Sequence, residues 1–90
     1  MRLDKYMRNS GIIPRRTKAK EACEEGLVAV NSKTAKPADD VEPGDMITVE
    51  LGLQKREYEV LKIAEVPVPK KKRDEYARLV SREKIDINDW

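Results

Sequence analysis

The chain has 90 residues, of which 39% are hydrophobic and 40% are charged, so it can bury one small core but not two. Its formal net charge of +2 is unevenly distributed, because residues 1–20 hold seven cations and one acid whereas residues 21–66 hold five cations and eleven acids. The chain has no histidine and one cysteine, which excludes histidine-dependent catalysis, histidine-ligated metals and an internal disulfide. It also has no phosphate-loop motif and no recognisable pair of catalytic acids. We therefore expect a protein that is not an enzyme and holds no metal or cofactor.

The first predicted helix runs from Arg2 to Asn9. Successive residues turn by 100°, which places one largely apolar arc toward the core: Leu3, Tyr6, Met7 and Ser10. The opposite arc is basic and polar and should be open to a partner: Arg2, Lys5, Arg8 and Asn9. We expect Gly11 to end the helix, and Asp4 either to stabilise the first turn or to orient Arg2.

The second predicted helix runs from an N-cap at Thr17 to Gly26 and buries small residues, among them Cys23. Four cations in its first half (Arg15, Arg16, Lys18, Lys20) precede three acids (Glu21, Glu24, Glu25). A helix dipole favours the reverse order by roughly 0.3 to 1 kcal/mol per group. The pattern suggests that the front of this helix binds an external phosphate, although ion pairs such as Lys20 with Glu24 are the alternative explanation.

After Gly26 the hydrophobic period changes to two, which is typical of strands. Residues 27–37 predict a hairpin that turns at Asn31 and Ser32, and Pro43 with Gly44 predicts a type II turn. Residues 46–51 and 56–63 then predict a second hairpin. The expected fold class is α+β, with two packed N-terminal helices on a small, mainly antiparallel sheet.

The C-terminal part, residues 67–90, predicts an extended basic linker from Pro67 to Arg73 and a short helix capped by Asp74. Tyr76, Leu79 and Val80 would form its apolar stripe. We therefore divide the chain into a domain of residues 1–66 and a tail of residues 67–90. The "KKKR" run in the linker is either simply solvated or in contact with a nucleic-acid backbone.

The segment "RLDKYMRNSGIIPRRTKAKEACEEGLVAVNSKTAKPADDVEPGD", residues 2–45, resembles the S-four RNA-binding domain, named after small-subunit ribosomal protein four, with its alpha-L motif. The whole chain is similar to the small bacterial RqcP (YabO) family. This resemblance implies binding to rRNA of the large ribosomal subunit and to tRNA, and assistance to RqcH in adding alanine tails to stalled nascent chains. From the lack of an apolar leader or membrane-spanning stretch we expect a cytoplasmic protein with no membrane partner, and we expect a monomer.

The resemblance also implies a set of RNA-binding residues, of which Arg16 is the strongest single candidate. On the first helix these are Arg2, Lys5 and Arg8; on the second, Arg15, Arg16, Thr17, Lys18 and Lys20; around the hairpin turn, Asn31, Lys33 and Lys36. Ser32 departs from the family, which usually has Gly after Asn at this turn. The type of the turn is therefore left open.

Three alternatives remain. A heat-shock relative of the same fold handles stalled large subunits that carry nascent chains, but it has a longer basic extension. A protein-interaction module would use the acidic residues Asp39, Asp40, Glu42 and Asp45. An RNA-binding appendix of a pseudouridine synthase or tyrosyl-tRNA synthetase would require a longer reading frame.

No segment has the roughly 20 apolar residues needed to cross a bilayer, and no signal peptide is recognisable.

Overall fold

The computed structural model describes residues 1–84 of the chain and shows two helices, a five-stranded antiparallel sheet and one 3₁₀ helix. The sheet has the order β2-β1-β3-β4-β5. In chain order the elements are α1 (Leu3–Ser10), α2 (Arg16–Glu24), β1 (Val28–Val30), β2 (Lys33–Thr34), β3 (Met46–Leu51), β4 (Gln54–Val60), the 3₁₀ helix (Lys70–Glu75) and β5 (Ala77–Lys84). The predicted α+β fold class is confirmed.

Helix α1 buries the apolar arc that the 100° periodicity predicts. Leu3, Tyr6 and Met7 are fully buried, and the Tyr6 hydroxyl donates a hydrogen bond of 2.7 Å to the Tyr76 carbonyl. Gly11 ends the helix with a φ of 86°, a left-handed conformation that glycine adopts at little cost. The prediction for Asn9 is wrong: only 1% of this residue is exposed, because its amide donates to the Ala64 carbonyl at 2.8 Å.

Helix α2 begins one residue before the predicted N-cap. Its N-cap is Arg15, which has extended backbone angles and makes no side-chain cap, so Thr17 is not the cap but an exposed residue of the first turn. Gly26 follows the last turn with a φ of 76°, as predicted. Cys23 is buried, and burial, reinforced by nearby carboxylates, raises the pKa of its thiol to about 11.

The first hairpin, between β1 and β2, closes with a two-residue turn. Val30 pairs with Lys33, which leaves Asn31 and Ser32 as the two turn residues, with φ values of 50° and 71°. Positive φ at both central positions is the signature of a type I′ turn, which matches the twist of the flanking strands. Ser32 therefore adopts a left-handed conformation without being glycine.

The C-terminal part differs from the prediction. Residues 70–75 form a 3₁₀ helix instead of an extended linker, and residues 77–84 form β5, which pairs antiparallel with β4, instead of a helix. Because Glu57 pairs with Ser81 and Tyr58 with Leu79, Val80 is the extra residue of a β-bulge. The free edge of β4 offers a full ladder of hydrogen bonds, which outweighs a weak local preference for helix.

Strand β5 lies beyond the predicted boundary at residue 66 and in the same sheet as β4; the division into two parts stays a prediction. The remaining predicted tail, residues 85–90 with Trp90, lies outside the described residues.

Candidate nucleic-acid interface

An exposed basic stripe runs along helix α1. Arg2, Lys5 and Arg8 are all exposed, on the side of the helix opposite its fully buried residues Leu3 and Met7. The spacing of three residues keeps the three cations on neighbouring turns. This helix therefore presents one face to the core and one positively charged face to the solvent.

The front of helix α2 adds a second group of cations and free backbone donors. Arg15, Arg16, Thr17 and Lys18 are exposed. The first hydrogen bond of the helix runs from the Ala19 N–H to the Arg15 carbonyl. The N–H groups of residues 16, 17 and 18 therefore have no carbonyl acceptor within the helix. Because no side chain within residues 1–84 caps them, these groups can donate to an external anion.

The carboxylate of Asp4 joins the two helices. It accepts hydrogen bonds from Arg2 Nε at 3.2 Å, from Arg2 Nη2 at 3.3 Å and from the Lys5 N–H at 2.8 Å. Arg16 Nε lies 3.6 Å from Asp4 Oδ2, the oxygen that also accepts from Arg2 Nη2. Asp4 is only 2% exposed, whereas the side chains of Arg2 and Arg16 are about half exposed. The buried acid thus holds two guanidinium groups from two helices close together at the surface.

The electrostatics of Asp4 follow from this geometry. Burial alone would raise the pKa of its carboxyl group, but the hydrogen bonds from Arg2 and from the Lys5 N–H, together with the charges of Arg2 and Arg16, outweigh burial and lower the pKa. Asp4 is therefore ionised at neutral pH and attracts both arginines. Of the two roles expected for Asp4, the structure shows the orientation of Arg2, combined with a bond to the first-turn N–H of Lys5.

We call the exposed cations and donors of the two helices the basic helix surface: Arg2, Lys5, Arg8, Arg15, Arg16, Thr17 and Lys18. Lys20 lies further along α2, and its Nζ is 3.9 Å from Glu24. Lys18 is paired with Glu21 at 3.4 Å. Both ion pairs are solvent-exposed and are worth little energetically, so a phosphate could replace the acid.

The three RNA-binding residues predicted around the hairpin turn lie in different parts of the structure. Residues 36–39 dock on the start of α1, because the N–H groups of Leu3 and Asp4 donate to the carbonyls of Asp39 and Pro37 at 2.7 and 3.1 Å. This brings Lys36 next to the basic helix surface. Lys33 is exposed on β2, away from these contacts.

Asn31 has a structural role within the hairpin. Its side-chain amide donates to Asp45 at 3.0 Å, and its side-chain oxygen accepts from the Met46 N–H at 3.0 Å. Both of its polar groups are therefore engaged in holding the turn against β3. RNA contact by any of these residues stays a prediction.

Comparison with known proteins now assigns the chain to a family. The family model described as the S4 domain matches residues 1–47. The chain belongs to the S4 domain family. This is the S-four domain expected from the sequence, and the matched segment contains α1, α2, β1 and β2 with every residue of the basic helix surface.

Relatives of this S4 domain protein carry a common name. A protein of Listeria innocua, 52% identical over 52 residues, and a protein of Streptococcus pneumoniae, 33% identical over 90 residues, are both named RQC P-site tRNA stabilizing factor. The first match covers 58% of this chain and 56% of the relative, so it spans little more than half of that protein's length. The second covers 98% of this chain and 99% of the relative.

A solved structure shows that the likeness extends beyond the S4 domain. The structure of Vibrio cholerae Heat Shock Protein 15, described as trimeric, has a TM-score of 0.83 and 27% sequence identity, and covers 90% of this chain and 82% of that one. The fold of the described residues is therefore that of the S4 domain with the additional strands.

The acidic residues of this S4 protein mostly hold its loops. Asp39 accepts from the Lys36 N–H and Asp45 from the Glu42 N–H, each at 2.8 Å, and Asp40 pairs with the N-terminal ammonium at 3.3 Å. These local roles account for much of the acidic cluster that a protein-interaction module would have used. No helix within residues 1–84 is long and apolar enough to span a membrane.

Proposed function

We propose that this protein is a non-enzymatic RNA-binding factor that binds rRNA of the large ribosomal subunit and tRNA through the basic helix surface. In the cytoplasm it assists an RqcH-type factor in adding alanine tails to nascent chains stalled on the large subunit, and it acts as a monomer. The observation that carries the proposal is the buried Asp4, because a single carboxylate positions Arg2 and Arg16 side by side on an exposed surface.

The chemistry of that surface fits a phosphate backbone. Guanidinium groups can donate two parallel hydrogen bonds to a phosphate, and the uncapped N–H groups at the front of α2 favour an anion. Holding the arginines in place before binding reduces the conformational entropy that they would lose on binding. The surface is therefore organised for phosphate recognition before RNA arrives.

Recognition through backbone and shape fits better than stacking on bases. Within the described residues, Tyr6 is buried and Tyr58 and Tyr76 are half-buried, so none of these tyrosines presents a fully open ring beside the basic helix surface. Stacking on aromatic side chains is the usual mode for single strands. The folded RNA of a ribosomal subunit, together with a tRNA, is the more suitable ligand.

The family relationship supports the choice of ligand. The relatives are named for stabilising a tRNA in the P site during RQC, and one of them matches nearly the entire chain. A small S4 protein that contacts both rRNA and tRNA could hold the tRNA in place during tailing without taking part in the chemistry.

The test is sedimentation of tagged protein from bacterial lysate through a sucrose gradient, with the RNA and proteins of each fraction identified. Arg16→Gln removes one of the two cations held by Asp4, and Lys55→Gln on β4 is the matched control with the same change of charge. We expect the wild-type protein and the control on free large subunits together with tRNA and the RqcH-type factor. We expect Arg16→Gln to shift to the top of the gradient.

Two results would overturn the proposal. Absence of the wild-type protein from every ribosomal fraction would leave an S4 fold with another partner. Equal losses for Arg16→Gln and Lys55→Gln would reject the basic helix surface as the binding site. With purified subunits, five or six engaged phosphates should make log K fall with log salt concentration at a slope of about 4 to 5.

The likeness to Heat Shock Protein 15 favours a second candidate function, the recycling of stalled large subunits that carry a nascent chain. The same gradient separates the two. Wild-type protein on large subunits that carry nascent chains, without the RqcH-type factor and without alanine tails, would favour the heat-shock-type function.

A further inference from the structure

The basic run at Lys70–Arg73 is folded and is not a free tail. It lies within the 3₁₀ helix, where the Lys72 N–H donates to the Pro69 carbonyl at 2.8 Å and the Tyr76 N–H donates to the Arg73 carbonyl at 3.0 Å. The chain then continues directly into β5, which is paired with β4. Both ends of the run are therefore fixed by the fold.

The segment before the 3₁₀ helix docks on the end of helix α1. The Val68 N–H donates to the Asn9 carbonyl at 2.9 Å, and the Asn9 side chain holds the Ala64 carbonyl at 2.8 Å. Val68 itself is only 8% exposed. The buried Asn9 is thus the clamp that joins the last turn of α1 to the chain leading into the basic run.

Arg73 makes a second contact with the end of α1. Its side chain lies so close to Gly11 that a Cβ atom at this position would be 2.6 Å from Cδ and Cζ of Arg73. The C-terminal end of a helix attracts cations, which favours a guanidinium at this place. Arg73 is therefore half-buried against the end of α1 and is not a freely exposed cation, although its buried Nε has no hydrogen-bond partner within residues 1–84.

The three lysines that precede Arg73 are accessible to a partner. Lys70, Lys71 and Lys72 are exposed, and within residues 1–84 none of them has a carboxylate within 4 Å. The rise of an α-helix places Gly11 about 10 Å along the axis from Asp4. One end of α1 thus carries the two arginines held by Asp4, and the opposite end carries a lysine cluster whose backbone is held by the fold.

We propose that Lys70, Lys71 and Lys72 form a second phosphate-binding site for the RNA that the basic helix surface binds. The inference rests on the proposed function and extends it, because the two sites at opposite ends of α1 give the protein two points of attachment to the RNA backbone. Because the Asn9 contacts and the packing of Arg73 on Gly11 hold the backbone of this segment, the lysines lose less backbone freedom on binding phosphates than the same lysines would in a flexible tail.

The test uses the full chain and purified large ribosomal subunits carrying a P-site tRNA as the probe. The triple variant Lys70→Gln, Lys71→Gln, Lys72→Gln is compared with a control that removes the same charge: Lys55→Gln, Arg82→Gln, Lys84→Gln. In an extended strand Lys84 is about 23 Å from the start of β5, far from the 3₁₀ helix. Co-sedimentation gives the binding constant over a series of potassium chloride concentrations, and circular dichroism verifies that each variant is folded.

We expect the lysine variant to bind more weakly and to lower the slope of log K against log salt by about 2 to 3, because up to three counterion-releasing contacts are lost. The control should change the slope by less than about 1. Equal changes in both triple variants would overturn the proposal, since they would report net charge alone. So would a lysine variant that behaves as wild type.

The variant Arg16→Gln, measured in parallel, separates the two proposals. If Arg16→Gln weakens binding and the lysine variant does not, the second site is rejected and the basic helix surface stands. If neither weakens binding, both are rejected. A loss that occurs only when the RqcH-type factor is present would assign the lysines to a protein partner and reject the RNA contact.

Discussion

Replacing Asp4 with asparagine removes the charge that holds the two arginines while preserving the shape of the side chain. Hydrogen bonds to charged groups contribute about 1.5 to 3 kcal/mol each, but Arg2 and Arg16 are half exposed, so water replaces part of what is lost. We expect the free energy of unfolding at pH 7 to fall by about 1 to 3 kcal/mol. In a domain of this size that lowers Tm by roughly 4 to 24 °C.

The pH dependence gives this prediction a second measurable consequence. The pKa of Asp4 is lower in the folded protein than its ordinary value of 3.8. The carboxylate therefore stabilises the fold above that ordinary value, and the stabilisation is lost as the pH falls through the lowered pKa of the folded state. The difference between wild type and Asp4→Asn, measured by urea unfolding, should be constant from about pH 5.5 to pH 8 and should shrink below about pH 4.

Binding to large subunits provides the decisive test of the positioning role. Loss of a negative charge beside a phosphate site would by itself strengthen binding, whereas loss of the group that orients the arginines should weaken it. We expect weaker binding. The control is Asp40→Asn, because this acid is 82% exposed and, among residues 1–84, has an ion pair only with the N-terminal ammonium at 3.3 Å. Tighter binding by Asp4→Asn, or a stability difference that persists unchanged at about pH 3, would refute the reasoning.

Three further predictions concern single residues. Because Cys23 is buried and its pKa is about 11, iodoacetamide at neutral pH should label it slowly in the native protein and rapidly in urea, as followed by mass spectrometry. Because Ser32 has a φ of 71°, Ser32→Gly should raise the free energy of unfolding by about 0.5 to 1 kcal/mol, measured by urea titration. Gly11→Ala should lower it by more than about 1 kcal/mol, because the new Cβ requires a strained φ and collides with Arg73; an unchanged Tm would contradict this.

Much of the fold could be predicted because local signals and long-range packing agree. The 100° periodicity of α1 identifies the buried Leu3 and Tyr6, and glycine marks the end of the helix at Gly11. The two-residue period and the Pro43–Gly44 turn likewise define the first three strands, and Gly44 has the positive φ that a type II turn requires.

The C-terminal part could not be predicted, since its structure depends on distant residues. Residues 76–80 have a weak helical spacing, and the bulge at Val80 interrupts the alternation by which a strand is recognised. Residues 77–84 form a strand because they pair with the free edge of β4, and no local sequence pattern shows that this edge is free. Asn9 was mispredicted for a similar reason, because its partner Ala64 is 55 residues away.

The candidate site could be predicted only in part from the sequence. Charge clustering identified the cations of α1 and α2, because residues 1–20 hold seven cations and one acid. It could not reveal that the one acid, Asp4, lies buried between arginines of two different helices, since this requires the crossing of α1 and α2. Nor could it show that Asn31 uses its side chain to hold the hairpin.

The charge order of α2, which its own dipole disfavours, has two explanations in the structure. Lys18 and Lys20 are offset by Glu21 and Glu24 on the same helix, and Arg16 by Asp4 on the neighbouring helix. Arg15 has no carboxylate within 4 Å in the described residues, and the uncapped N–H groups of the first turn add to the local positive potential. This residual positive charge is the part that folding does not offset, and a bound phosphate would offset it.

A sequence selected for stability alone would place a capping residue at position 15 and acids in the first turn. The departure from that rule lies where the proposed RNA contacts are, as expected when a functional site is maintained at some cost in stability.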